Sequence, residues 1–314
     1  MASTTGSSPF TQAVISAQFA DKSFDNTGLL LEAPYRPQQQ KSSVLLTIDL
    51  TAAVANEAIT RKDSVIIAYH PIIFRGLKSL TLANSQQRSL LRLAQEGISV
   101  YSPHTAVDAA PGGLNDWLAD IVTGNTVGQS TGSSLAHDRK VITPVADVFP
   151  YTNAGYGRIV TFSQPQTLGS LLSLINAPTG LGVLPGVSVA VPQSVLNGSK
   201  ASLPISSIGI CAGSGGHMLG GLDVDLLFTG EMSHHEALAA IEQGKVVITA
   251  FHSNTERGFL KARMQELLKT KIAEEINEEL MEADDADELR SGFEVAVSET
   301  DRDPFEIVTG ISGW

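Results

Sequence analysis

The 314-residue chain has a single cysteine, Cys211. No intrachain disulfide can form, and a disulfide-stapled scaffold is excluded; this suits a reducing compartment. Aromatic residues are scarce, at 6 %. No stretch approaches the roughly 18 apolar residues needed to span a bilayer, so no membrane partner is expected. No Lys/Arg cluster exceeds two residues, which leaves no basic face for nucleic acid. The first 22 residues (MASTTGSSPFTQAVISAQFADK) lack both a basic and an apolar region, so they do not form a secretory signal. They are rich in Ser and Thr and start with 20 residues free of acids, but they also lack arginine. The expected compartment is therefore cytoplasmic, with mitochondrial targeting as the alternative.

What is present is apolar aliphatic material, with 42 % hydrophobic residues, enough for a sizeable core. The net charge of −12 is concentrated in one place. Residues 274–288 (EEINEELMEADDADE) hold nine acids and no base, and the rest of the chain has 24 acids against 21 bases. Such a run reads as a solvated helix face, or alternatively as a docking tail for a basic partner.

Apolar runs of strand length occur at Val44–Ile48, Val65–Ala68, Ile98–Tyr101, Ile159–Thr161, Ile208–Ala212, Leu226–Thr229 and Val246–Ala250. Runs apolar on both faces suit strands covered by helices. Segments of helical period separate them: Thr51–Arg61, Asn84–Glu96, Gly112–Asp120, Thr167–Ile175, Ser233–Gln243 and Gly258–Glu282. The alternation predicts an α/β fold with much parallel sheet. Gly124–Pro144 is rich in Gly, Ser and Thr and reads as a linker, whereas the Gly/Pro-rich Pro178–Pro204 suits irregular strands and loops. The expected division is an N-terminal domain, 1–134, and a second domain, 135–314, whose last segment could pack back on the first.

In α/β sheets ligands bind beyond the carboxyl ends of strands. The polar residues just after each apolar run are therefore the informative ones. Val65–Ala68 is followed by Tyr69-His70-Pro71, and Ile98–Tyr101 by His104 and, four residues on, Asp108. Val246–Ala250 is followed by His252 and Glu256 at the same spacing, and Leu226–Phe228 by Thr229-Gly230-Glu231. Imidazoles mixed with carboxylates suit a divalent transition metal (Zn, Fe, Mn or Co) better than Ca or Mg. Carboxylates can also bridge two such ions, an arrangement used in hydrolysis.

Each residue also has a structural reading. Ser253-x-x-Glu256 and Ser233-x-x-Glu236 both fit a capping box. His234 and His235 are neighbours at a helix start and point in different directions, while His137 and His217 lie in polar or Gly-rich segments. Gly213-Ser214-Gly215-Gly216 reads as a tight turn, or as a cradle in which Gly215 and Gly216 meet a substrate anion. It lacks both the P-loop ending and the dinucleotide spacing.

Eight segments resemble, in order, those of the Nif-three-like family of α/β metalloproteins, many of whose bacterial members are called GTP cyclohydrolase type-two homologues. They are Phe24–Leu30, Tyr69–Lys78, His104–Ala110, Gly112–Leu118, Gly155–Arg158, Cys211–Gly216, Leu227–Glu231 and His252–Glu256. The resemblance implies two related α/β domains with mixed sheets flanked by helices, and a metal site at strand C-terminal ends. It implies a dinuclear centre of divalent metals, held by His70, His104, Asp108, His252 and Glu256, and so one or two ions per chain. It also implies a ring-shaped homo-hexamer, a trimer of dimers. Many bacterial members have a second histidine where this chain has Tyr69, so the occupancy of a second metal position is open.

The leading functional expectation is a metal-dependent hydrolase acting on a small phosphorylated or nucleotide substrate. Glu231 would serve as general base or as orienter of a histidine, and Arg75 and Lys78 would bind phosphate. One alternative is GTP ring opening, with Tyr69, Phe74, Tyr101 and Phe251 as the aromatics available for a purine. The other is a regulatory protein with structural metals and a protein partner, since the family takes its name from a protein interaction.

Overall fold

The computed structural model describes residues 26–34, 36, 41–126, 134–145, 153–182, 184, 186–195, 198–278 and 292–308. The N-terminal segment with Phe24 and Asp25, residues 127–133 of the Gly/Ser/Thr-rich stretch, and residues 279–288 of the acidic run lie outside the described residues. Contacts divide the chain into two compact units. One comprises Met1–Ala106 with Leu260–Arg302, and the other Val107–Phe259 with Asp303–Trp314.

The first unit is built on a five-stranded mixed sheet. Its strands are β1 (Gly28–Leu31), β2 (Ser43–Thr47), β3 (Val65–Ala68), β4 (Ser99–Ser102) and β11 (Glu294–Val297), in the order β1-β4-β3-β2-β11. Only β1 runs antiparallel, against β4. Every residue of β2, β3 and β4 is buried, as expected of strands apolar on both faces. Helix α1 (Ala52–Arg61) starts where the Thr51 side chain accepts from the Val54 amide, and ends at Lys62 in the left-handed conformation. Helix α2 (Ser85–Glu96) is capped by Asn84 and stopped by Gly97. Val54, Ala58 and Leu93 pack against Leu45, Ile66 and Val100 of the sheet. The C-terminal strand β11 completes this sheet, pairing parallel with β2.

The second unit holds a six-stranded mixed sheet, in the order β5-β6-β8-β9-β10-β7. The strands are β5 (His137–Pro144), β6 (Gly155–Thr167), β7 (Ser188–Ala190), β8 (Pro204–Ser214), β9 (Leu226–Glu231) and β10 (Val246–Thr249). Strands β8, β9 and β10 are parallel, and the other pairings are antiparallel. Helices α4 (Leu114–Thr123), α5 (Leu168–Ile175) and α7 (His234–Glu242) belong to this unit, with two short ones, α6 (Gly216–Leu219) and α8 (Asn254–Phe259). The five-residue α3 (Thr105–Ala109) runs across the point where the chain passes from one unit to the other.

Two sequence expectations need correction. The reading of Gly124–Pro144 as a linker fails over its last third, where His137–Pro144 pairs along its length with β6. Its residues are all partly or fully exposed, so it lacks the apolar signature of a buried strand. The long helix expected over Gly258–Glu282 begins earlier, as α8, and passes through a π-helical turn at Leu260–Met264 into α9 (Gln265–Glu278).

A buried ion pair ties α4 to the sheet of the second unit. Arg158 on β6 is 2 % exposed and meets both Asp116 carboxylate oxygens, Nε at 2.8 Å and Nη2 at 2.7 Å. Its Nη1 donates to the Gly155 and Gly157 carbonyls. Burial raises the Asp116 pKa, but hydrogen bonds and charge from Arg158, the Gly112 amide and Arg139 outweigh it and hold the carboxyl below the ordinary range. The family-like segments Gly112–Leu118 and Gly155–Arg158 thus meet in a structural contact.

Candidate functional site

In the first unit, β3 ends at Ala68 and His70 follows at once. The Tyr69 and His70 amides still donate, to the Thr47 and Ile48 carbonyls, so the backbone under the imidazole is an extension of the sheet. His70 Nδ1 lies 2.9 Å from Asp49 Oδ1. An ionised carboxylate can only accept, so a neutral His70 ring in this contact would carry its proton on Nδ1 and leave the lone pair on Nε2. This carboxylate–imidazole pairing recurs at metal-ligating histidines. His104 stands beside it, with ring centroids 5.6 Å apart. Its backbone is left-handed (φ 34°), a conformation disfavoured for a non-glycine residue. Tyr69 is 3 % exposed and its ring lies 5.0 Å from that of His70 and 5.4 Å from that of His104. Its carbonyl accepts from the Ser102 hydroxyl.

In the second unit, the parallel strands β8, β9 and β10 end side by side and supply the other groups. His252 follows β10, after Phe251 in the left-handed region (φ 66°). Its Nδ1 lies 2.8 Å from Glu231 Oε1, and its Nε2 lies 3.4 Å from Glu256 Oε1. Glu256, on α8, is 1 % exposed. Two threonines brace the irregular end of β8, where its pairing with β9 shifts register between Cys211 and Ser214. Thr255 Oγ1 accepts from the Gly213 amide and donates to the His252 carbonyl. Thr229 Oγ1 accepts from the Gly215 amide and donates to the Gly213 carbonyl. Gly213 has a positive φ, and a Cβ there would stand 2.8 Å from Glu256 Oε1 and 2.9 Å from His252 Nε2. Only glycine lets the turn pass this close to the pair.

Asp108, on α3, belongs to the same unit, and its carbonyl accepts from Asn115 Nδ2. The buried Asn115 also accepts from the Ala212 amide, which ties α3 to the end of β8. The Cys211 thiol is pushed up to about 12, first by burial and then by the negative charges of Asp108 and Glu256. It therefore stays protonated at neutral pH and is no nucleophile.

Both capping-box readings are resolved. Ser233 and Glu236 form the reciprocal box at the start of α7. The Ser253 hydroxyl instead donates to Asp303 and accepts from Arg257, and the Glu256 carboxylate lies against His252. Arg75 and Lys78 are exposed in the irregular segment after β3. Lys78 lines a cavity of about 390 Å3 whose other walls include Leu30, Ile73, Leu77 and Leu90. In the Gly215-Gly216 turn the Gly215 amide is engaged by Thr229, and a Cβ on Gly216 would meet Glu236.

Sequence reasoning passed over Asp49, although it obeys the rule that found the others, since it follows the apolar run Val44–Ile48. It also passed over Thr229, Thr255 and Asn115, whose roles are hydrogen bonds to distant backbone and leave no local pattern.

The family model described as Duf34/NIF3 (NGG1p interacting factor 3) matches residues 10–288. The chain is 46 % identical over 295 residues to the protein NIF3 homolog of Schizosaccharomyces pombe, covering 93 % of this chain and 94 % of that one. It is 41 % identical over 298 residues to NGG1-interacting factor 3 of Saccharomyces cerevisiae, covering 92 % of each. Among solved structures, a Bacillus cereus protein related to NIF3 superposes with a TM-score of 0.64 at 19 % identity, covering 98 % of this chain and all of the other.

Proposed function

The chain belongs to the Duf34/NIF3 family, and from that premise we propose that it is a metal-dependent hydrolase of small phosphorylated or nucleotide substrates. The observation that carries this reading is the repeated carboxylate–imidazole pair. His70 with Asp49 in one unit and His252 with Glu231 in the other both have Nδ1 engaged by a carboxylate, which leaves Nε2 as the nitrogen available to a metal. The donor chemistry fits a divalent transition metal, because neutral imidazole nitrogens combine with the buried Glu256 carboxylate 3.4 Å from His252 Nε2.

The proposed ligands are His70 and His104 in the first unit and Asp108, His252 and Glu256 in the second, with one or two ions per chain. The metal would be Zn, Fe, Mn or Co, and it supplies Lewis acidity that polarises an electrophile and acidifies water. The residues of the chain do the rest. In this reading Glu231 holds His252 through Nδ1 and, being more than half exposed, would take a proton from attacking water. Arg75 and Lys78 would meet a substrate phosphate from their exposed segment. The chain acts as a homo-hexamer in this reading.

The test is a turnover screen of the metal-loaded protein against nucleotides and phosphoesters, run beside Glu231→Gln. The reading expects hydrolysis whose kcat falls by roughly 100-fold or more in the variant, the scale of general acid–base catalysis. It fails if the loaded protein turns over none of them. GTP ring opening has less support, because two of its four aromatics, Tyr69 and Tyr101, are each 3 % exposed and leave Phe74 and Phe251 to meet a purine; formate release from GTP would restore it. A regulatory reading rests on the relative named NGG1-interacting factor 3, and it gains if metal affects stability alone while a protein partner is bound.

A further inference from the structure

Strand β11 adds to the first sheet through parallel pairing, Glu294 with Ser43 to Val297 with Leu46. The ladder continues one step further, with the Ser298 amide donating to the Leu46 carbonyl. Beyond that point a side chain takes over from the backbone. Asp301 Oδ2 accepts from the Ile48 amide at 2.7 Å, and its Oδ1 lies 3.4 Å from the Asp49 amide. One carboxylate thus receives two successive amides just past the end of β2. The second of these residues is Asp49, whose carboxylate holds His70 Nδ1 at 2.9 Å.

The loop that carries Asp301 is itself gripped. Glu57 on α1 accepts from the Ser298 hydroxyl at 2.6 Å, the Glu299 amide at 3.0 Å, and the Thr300 amide and hydroxyl at 3.2 and 2.7 Å. Ser298 Oγ in turn accepts from the Asp301 amide at 3.1 Å. Glu57 thus anchors the loop through four hydrogen bonds. They fix one backbone position, from which Asp301 reaches the β2 terminus.

We propose that Asp49 and Asp301 are positioning residues for His70, so that the C-terminal return of the chain sets the tautomer and orientation of a histidine more than 200 residues away. Asp301 fixes the backbone of residues 48 and 49, Asp49 fixes Nδ1 as the protonated nitrogen, and Nε2 is left as the donor. In an unpartnered neutral histidine side chain the proton favours Nε2, so the tautomer reports on the Asp49 contact directly. The arrangement extends the metal reading given above, but its primary test needs no metal.

The experiment is nitrogen-15 NMR of selectively histidine-labelled, metal-free full chain at pH 8, for wild type, Asp49→Ala, Asp49→Asn, Asp301→Ala and Asp301→Asn. Thermal unfolding of each variant is measured alongside. In wild type, His70 should carry its proton on Nδ1. Asp49→Ala should shift it to predominantly Nε2, and Asp301→Ala should give a mixture. Asp49→Asn keeps the acceptor oxygen that faces Nδ1 and should restore the wild-type signature, whereas Asp301→Asn offers one acceptor to two amides and should restore it only in part. Zn2+ titration against a chromophoric chelator should then show a loss of about 10- to 100-fold in affinity for Asp49→Ala. An Nε2-protonated His70 in wild type overturns the proposal, as does an unchanged tautomer in a folded Asp49→Ala; an unchanged tautomer in a folded Asp301→Ala overturns the role of Asp301. If the tautomers behave as stated but wild type binds no Zn2+, the positioning role stands and the metal reading falls.

Discussion

The imidazole of His252 is held between two carboxylates, with Nδ1 2.8 Å from Glu231 and Nε2 3.4 Å from Glu256. The two acids differ in surroundings, since Glu231 is more than half exposed and the Glu256 side chain only 2 %. An exposed acid on Nδ1 can set the tautomer or move a proton. A buried acid on the Nε2 side is costly to keep ionised unless it is hydrogen-bonded or paired with a cation, and a metal ion would supply such a partner.

The closeness of the β8 turn to this pair gives the first prediction. Gly213→Ala places a methyl within 3 Å of both Glu256 Oε1 and His252 Nε2 and forces a left-handed φ on a residue with a Cβ. Urea unfolding should show a loss of about 1–2 kcal/mol from the backbone alone. Bound metal should fall by more than that loss explains, because the two side chains must part. Unchanged metal content in Gly213→Ala would show that the pair tolerates displacement.

A second prediction separates structure from site. Asp116→Ala leaves Arg158 buried without its carboxylate partner and should destabilise the protein by about 3–5 kcal/mol. The folded-state pKa of Asp116 is depressed. Its contribution is therefore fully present above the unfolded value of about 3.9 and is lost as pH falls through the lower folded value. The stability difference between wild type and Asp116→Asn should be constant from pH 7 to 5 and shrink below pH 4, as read from urea unfolding at each pH. Metal content at neutral pH should be retained in whichever variant stays folded.

Tyr69 supports a third. Its ring stands 5.0 and 5.4 Å from His70 and His104, so a third imidazole at this position would join the same cluster. Tyr69→His should raise the bound transition metal per chain, or its affinity, as measured by Zn2+ titration. A phenol near pKa 10 does this poorly, since it ligates only as phenolate. No gain in the variant would mean that position 69 does not face the ion.

Much of this was legible in the sequence because buried parallel strands are continuous apolar runs, and a polar residue at their ends stands out. Val65–Ala68 and Val246–Thr249 are strands, and His70 and His252 follow them. Strand β5 was hidden because its face is half solvated and its residues, HDRKVITP, resemble a loop. Ser253-x-x-Glu256 could not be decided locally, since the choice between cap and site depends on Asp303, fifty residues on, taking the serine hydroxyl. Asp301 was hidden for the same reason: an aspartate in a short polar segment says nothing about the amides of residues 48 and 49 until the return of β11 is known.

The measurement that tests the central claim most directly is metal content by elemental mass spectrometry of protein purified without chelator or affinity metal, for wild type, His70→Ala, His252→Ala and Glu256→Gln. The account predicts one or two divalent transition metal ions per wild-type chain, and at least a several-fold loss in each variant with unfolding temperatures within a few degrees of wild type. Wild-type protein that remains metal-free after incubation with Zn2+, Mn2+, Fe2+ and Co2+, or variants that keep the full complement, would contradict it.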